Sequence, residues 1–397
     1  MDRLEQRPAR CRSVPDDPGA VRRRSRPLVR LYRRPGCRRQ LGAPCGPGRH
    51  GGARVLCGRR HAHGHRARRW RRFFRFVPKA GRRGMSAFTV AVVQAGSVLF
   101  DKAACLDKVD AFTGQAAERG ARLVVFPEAF VSGYPKGLDF GARLGFRLPE
   151  GRQQYRRYHE SAVEVAGPDG AVLSGIAERH GVHLVVGVIE REGGTLYCST
   201  LTYSPEGMLI GRHRKLMPTA VERLVWGCGD GSDVSVIDTP LGKIASAICW
   251  ENYMPQLRLA YYARGVQLYC APTVDDRDTW LATMRHIAAE GRCFVLSAVQ
   301  SLDRSALPED YAYSPPHDTP EQVIKGGSVI VGPLGTVLAG PAAPGETVLT
   351  AEVDLAHIVE AQFDMDVVGH YARPDVFQLT VHDRSLKPVV FVPNSTP

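Results

Sequence analysis

The chain has 397 residues, 53 of them Lys or Arg and 40 Asp or Glu, a net +13 that is unevenly spread. Residues 1–84 hold 26 basic and 4 acidic side chains (+22), while the remainder holds 27 basic and 36 acidic (−9). A mildly acidic body gives no reason to propose a nucleic-acid partner, and no run of 18 or more apolar residues offers a transmembrane helix.

The leader, residues 1–84, is rich in Arg, Gly and Pro, with runs such as Val21-Arg22-Arg23-Arg24 that repel themselves, so disorder is expected. No apolar segment long enough for a secretory signal follows its charges. Three readings of it stand: an organelle transit peptide; a nucleic-acid arm with Trp70, Phe73, Phe74 and Phe76 as stacking residues; or sequence translated from upstream of the natural start. The third is preferred, because Met85 immediately precedes a clean apolar strand. The chain then divides into this leader, a body over 85–385, Pro-containing and charged from Asp364 on, and a C-terminal tail over 386–397.

Of ten cysteines, four lie in the leader and six in the body: Cys105, Cys198, Cys228, Cys249, Cys270 and Cys293. They form no C-x-x-C pair, which is neither a zinc pattern nor a disulfide framework, and they suit a reducing cytosol. A cytoplasmic protein without a metal is expected.

The body opens with a strand, Phe88 to Ala95, a helix of Asp101 to Gly120, and a second strand, Ala121 to Phe126: a parallel βαβ unit. Helices are expected at Tyr155–Glu160 and Ala171–His180. Strands follow at His183–Glu190, Thr195–Tyr203 and Leu209–Lys215, with Gly193-Gly194 and Pro205-Glu206-Gly207 as hairpin turns. Val234–Asp238 and Lys243–Ile248 flank a further turn. A helix to Arg264, a strand Val266–Ala271, a helix Thr279–Arg292 and a strand Phe294–Gln300 come next. A hairpin across Pro333-Leu334-Gly335, a strand Val348–Val353 and a helix Leu355–Phe363 complete the body. So many strands need more than one sheet, with helices over the outer faces. The reading is an α/β fold, a four-layer α-β-β-α sandwich of two mixed sheets flanked by helices.

The chemistry centres on Lys243-Ile244-Ala245-Ser246-Ala247-Ile248-Cys249-Trp250-Glu251-Asn252. An apolar strand runs into Cys249 and the chain turns past it, the usual place for a nucleophile in an α/β protein. A free thiol, with a pKa of about 8.5, needs help to react at neutral pH, and on this stretch alone an inert core cysteine is the commoner fate. Two other polar groups end apolar runs: Glu128 after Leu123-Val124-Val125-Phe126, and Lys215 after Leu209-Ile210. If the three strands are neighbours, a carboxylate, an ammonium and a thiol converge at one rim. The carboxylate then accepts the thiol proton and the ammonium stabilises developing negative charge. Spacing alone does not bring them together, and each taken singly has a bland reading.

Longer motifs surround these residues. They are Phe126-Pro127-Glu128-Ala129-Phe130 through Gly137, His213-Arg214-Lys215-Leu216-Met217-Pro218-Thr219, Glu222 through Gly231, Ile248-Cys249-Trp250-Glu251-Asn252-Tyr253-Met254-Pro255, and Val368-Gly369-His370-Tyr371 through Asp375. In order and spacing, over about residues 88–385, the body resembles the nitrilase branch of the carbon–nitrogen hydrolase superfamily, plant and bacterial nitrilases in particular.

The resemblance implies Glu128 as general base, Lys215 as catalytic lysine, Cys249 as nucleophile and Glu222 as the second glutamate beside the lysine. For Glu222 an ordering role and direct chemistry both stand. It also implies hydrolysis of an organic nitrile to the carboxylic acid and ammonia through a thioimidate and an acyl-enzyme, with no cofactor. An amidase or nitrile-to-amide hydrating activity on the same site is the alternative. Homo-oligomers, dimers or longer spirals, are implied as well. Tyr134, Trp226 and Trp250 are candidates for the substrate pocket. Cys228 departs from the bulkier or polar residue expected in its motif. His286 reads as a packed or hydrogen-bonded helix histidine, His370 and Tyr371 as parts of a C-terminal strap, and Cys270 and Cys293 as core.

Overall fold

Strand β1 (Phe88–Gln94) shows why two layers of sheet form. Phe88, Val90 and Val92 pack to one side with Leu123, Val125, Ile244, Leu268, Phe294 and Ile330. Ala91 and Val93 pack to the other with Val109, Phe112, Leu173 and Ile176. A strand apolar on both faces must be covered on both; here one cover is a second sheet and the other a pair of helices.

The computed structural model describes residues 87–311, 313, 320–385 and 389. The expectations for the leader and for Met85, and for all of the 386–397 tail except Val389, lie outside these residues.

After β1 come β2 (Ala121–Val125), β3 (Ala142–Arg143), β4 (Phe146–Arg147), β5 (His183–Glu192), β6 (Thr195–Tyr203), β7 (Leu209–Arg214) and β8 (Ile237–Thr239). Then follow β9 (Gly242–Ser246), β10 (Leu268–Cys270), β11 (Phe294–Ser297), β12 (Ser301–Asp303), β13 (Gln322–Lys325), β14 (Val329–Val331), β15 (Val337–Ala339) and β16 (Thr347–Val353). The helices are α1 (Lys102–Glu118), α2 (Pro149–Ser161), α3 (Pro168–His180), α4 (Pro255–Ala263), α5 (Asp278–Gly291) and α6 (Ala356–Ala361).

One six-stranded sheet runs β16-β1-β2-β5-β6-β7 and the other β15-β14-β11-β10-β9-β8. Both follow one plan. Three parallel strands, β1-β2-β5 or β9-β10-β11, are joined by helical crossovers. Antiparallel strands extend each trio on both sides. Helices α1 and α3 cover the outer face of the first sheet, while α4 and α5 cover that of the second. The four layers are therefore α-β-β-α, as the sequence reading expects.

Local differences from that reading have local causes. Helices α2 and α3 begin earlier, at Pro149 and Pro168, each a proline in the first turn where its missing N–H does no harm. Beyond Cys249 the helix is broken: a single 3₁₀ turn spans Cys249–Tyr253, and Pro255 forces Met254 out of the helical region (φ −89, ψ 100) before α4 starts. Val234 belongs to no strand; its N–H closes the turn Gly231–Asp233. The small sheets β3–β4 and β12–β13 are unanticipated; the second pairs segments that are far apart along the chain and carry no turn signal.

Candidate active site

Glu128 follows β2 by three residues, on a segment that crosses tightly over β5. A Cβ on Gly187 of β5 would lie 2.0 Å from the Pro127 carbonyl oxygen, so only glycine allows the crossing. The Glu128 carbonyl accepts from Gln300 Nε2 at 2.7 Å, and the backbone N–H of Val274 donates to Oε2 at 3.2 Å. The carboxylate is thereby aimed by three separate segments before any reactive group is considered.

Lys215 continues β7 by one residue, its N–H donating to the Cys198 carbonyl of β6 at 2.8 Å. Its side chain is fully buried. Nζ donates to Glu128 Oε1 at 2.7 Å and to Glu222 Oε2 at 2.8 Å. Glu222 sits in a 3₁₀ turn, Ala220–Leu224; its other oxygen accepts from Tyr134 Oη at 2.7 Å and Oε2 also takes the Thr219 N–H at 2.6 Å.

Cys249 ends the approach from β9. Its φ is +51, a left-handed conformation that a side chain with a Cβ adopts only when the surroundings enforce it. The surroundings do so here. The Cys249 N–H donates to the Pro272 carbonyl at 2.9 Å, and Asn252 Nδ2 donates to the carbonyls of Ala247 and Cys249 at 2.9 and 2.8 Å. The buried thiol feels the charges of Glu128 and Lys215, with Thr273 beside it. A second buried thiol, Cys198, lies 3.5 Å from Glu128 Oε1.

The strands that deliver these groups are not neighbours. β2 and β7 are separated by β5 and β6 in one sheet, and β9 lies in the other. The expected single rim is replaced by a cleft between two sheets, because Lys215 and Cys249 reach inward from opposite layers.

The charges are interdependent. Burial pushes the Glu128 carboxyl up; the Lys215 ammonium opposes this and Glu222 adds to it, leaving the carboxyl above its ordinary value. Burial works against the charge on Lys215, yet the Glu128 carboxylate outweighs it and holds the amine protonated well above the usual range. Burial, then the Glu128 charge, raises the Cys249 thiol despite Lys215. Cys249 is thus held against ionisation, beside a carboxyl group in position to take its proton.

A cavity of about 400 Å³ adjoins the cluster, walled by Tyr134, Leu138, Phe140, Val225 and Trp226, with Glu222 at its floor. Tyr134 and Trp226 meet edge-on at 5.7 Å. Trp250 does not line this cavity. It is half-exposed, its indole N–H donates to Asp275 Oδ2 at 2.9 Å, and Arg277 stacks on its ring at 4.7 Å.

Against known proteins, the carbon–nitrogen hydrolase family pattern matches residues 89–363. The chain belongs to the carbon–nitrogen hydrolase family. It is similar to the bifunctional nitrilase/nitrile hydratase NIT4B of Nicotiana tabacum, with 52% identity over 77% of this chain and 89% of that one. It is also similar to the aliphatic nitrilase of Sinorhizobium fredii, with 53% identity over 77% and 99%. Among solved structures, Nit3 of Saccharomyces cerevisiae, a nitrilase-superfamily member, shares the fold: TM-score 0.56 at 21% identity, over 72% of this chain and 97% of that one. Within the family the chain falls on the nitrilase branch.

Other residues of this carbon–nitrogen hydrolase take the following places. Glu251 and His213, which the sequence reading did not single out, are buried against the site; the signal for Glu251 was its position two residues past Cys249. Cys228 is exposed, and the N–H groups on either side of it hold the carbonyls of Leu196 and Lys215. His286 pairs with Glu290 on the surface of α5 at 2.8 Å. His370 and Tyr371 stack edge-on at 5.5 Å, with Tyr371 exposed, and Cys270 and Cys293 are core. Among the described residues no group of three or more His, Cys, Asp or Glu is placed to hold a metal, and no helix is long and apolar enough to cross a membrane.

Proposed function

We propose that the protein hydrolyses an organic nitrile to its carboxylic acid and ammonia at Cys249, Glu128 and Lys215. The observation that carries this is the Lys215 ammonium bonded to both Glu128 and Glu222, beside a strained, buried Cys249. The thiol sulfur attacks the nitrile carbon as its proton passes to Glu128, which hands it on to the nitrile nitrogen, giving a thioimidate and restoring the carboxylate. Lys215 supplies the positive charge that the developing anion needs in a water-poor site. Water, deprotonated by Glu128, adds to the thioimidate; ammonia leaves and a thioester remains. A second water releases the acid and restores the thiol. Each proton transfer uses a group poised by burial and by its neighbours.

A second reading has specific support: four relatives at this level of identity carry the name bifunctional nitrilase/nitrile hydratase. If the tetrahedral adduct expels sulfur instead of ammonia, the product is the amide. One panel of aliphatic and aromatic nitriles, scored for ammonia, acid and amide, tests both readings. Neither product above background overturns the proposal, and the amide fraction decides between them. The largely aromatic and aliphatic wall of the 400 Å³ cavity favours nitriles with an apolar side chain.

Two further expectations belong here. A reducing cytosol is supported by six free cysteines, five of them buried, among the described residues. Self-association is supported by the exposed Phe363, Tyr371, Val376 and Phe377 on the segment after α6.

A further inference from the structure

We infer that Glu251 and His213 form a positioning pair that sets the spacing between Cys249 and Lys215. The Glu251 carboxylate is buried at 1% exposure and is filled by three donors. Oε2 accepts from the Ile248 N–H at 2.8 Å, next to the nucleophile, and from His213 Nε2 at 2.8 Å. Oε1 accepts from the Leu216 N–H at 2.6 Å, next to the lysine. One carboxylate therefore ties the turn of one sheet that bears Cys249 to the end of β7 in the other sheet, which bears Lys215.

His213 completes the device. Its Nδ1 stands 3.0 Å from the Asp233 carbonyl, which only accepts, so Nδ1 carries a hydrogen. Its Nε2 faces a carboxylate already receiving two backbone donors. One proton is thus shared between ring and carboxylate, and the imidazole works as a brace that keeps Glu251 from turning away. Neither residue touches the 400 Å³ cavity, and neither bonds to Glu128, Lys215 or Cys249 side chains. Their effect on chemistry passes through placement. An error of an ångström between reacting groups is enough to cost about 100-fold in rate. The left-handed Cys249 needs the Ile248 tie to stay in its turn.

The turnover part of the test rests on the nitrilase reading; the alkylation part does not. Glu251→Gln places an amide N–H₂ against donors and should lower kcat about 100-fold with KM within about threefold of wild type. It should also slow iodoacetamide alkylation of Cys249, read on the Cys249 peptide by mass spectrometry to separate it from exposed Cys228. His213→Gln and His213→Asn divide the brace. The Gln amide nitrogen takes the Nε2 place and still donates to Glu251, whereas the Asn nitrogen takes the Nδ1 place and does not. His213→Gln should keep kcat at least about tenfold above His213→Asn. Equal kcat in the two His213 variants, or a Glu251→Gln effect confined to KM, overturns the inference. If Glu251→Gln does not fold, the His213 pair decides. If wild type turns over no nitrile, the order of Cys249 alkylation rates across the three variants decides, while the nitrilase reading alone falls.

Discussion

Lys215 Nζ stands 2.7 Å from Glu128 Oε1, across 87 residues of chain and with neither side chain exposed. Buried ions of this kind are kept only when each is matched, and here one ammonium serves two carboxylates. The pair is therefore both the electrostatic core of the proposed reaction and a structural liability when one member is removed.

Lys215→Met is expected to abolish ammonia release and to destabilise the fold by about 3–5 kcal/mol, since it leaves Glu128 buried without its counter-ion. Without the ammonium the Glu128 carboxyl binds a proton more tightly still, so the deficit should shrink as pH falls toward about 5. Urea denaturation at several pH values reads both effects; a deficit independent of pH would count against an ionised Glu128 in the native protein.

Cys249→Ala should lose ammonia release and keep the fold. Cys249→Gly should be inactive too, but more stable than Cys249→Ala by about 1 kcal/mol, because only glycine takes φ +51 without steric strain. Comparing the two melting curves isolates backbone strain at Cys249 from the chemistry of its sulfur. Equal stability would mean that the turn is not strained in solution.

Glu128 has a raised pKa, so activity that needs its carboxylate is lost as pH falls through a value above the usual glutamate figure of about 4.3. The Glu222 charge contributes to that rise. Glu222→Gln should therefore move the acidic limb of kcat/KM to lower pH while also lowering its height. A limb that stays fixed would assign it to another group.

A chain starting at Met85 is expected to turn over nitriles as the full chain does, because the family match begins at residue 89 and every site residue lies beyond it. Parallel assays of both proteins, with a nucleic-acid binding measurement on each, show whether residues 1–84 do anything separate. Loss of turnover on truncation would give the leader a part in the site.

The layered fold was written in local patterns. Two-faced apolar strands such as Phe88–Gln94 and Lys243–Ile248, helices with one apolar stripe between them, and glycine turns such as Gly193-Gly194 dictate two covered sheets whatever their order. Cys249 also stands out as the candidate nucleophile, since an apolar strand ending at it and a long surrounding motif restrict what that thiol is for. Residue spacing could not place Glu128 and Lys215 beside it, nor show that they arrive from non-adjacent strands of two sheets. Side-chain convergence is a property of sheet order and layer packing, and these are fixed by contacts between segments distant in the chain. The same limit hid Glu251 and His213: a carboxylate becomes a cross-tie only once Ile248 and Leu216 stand on either side of it. It also decided that Trp250, next to Cys249 in sequence, faces Asp275 and Arg277 instead of the cavity, because the carboxylate that takes its indole N–H comes from a segment 25 residues further along the chain.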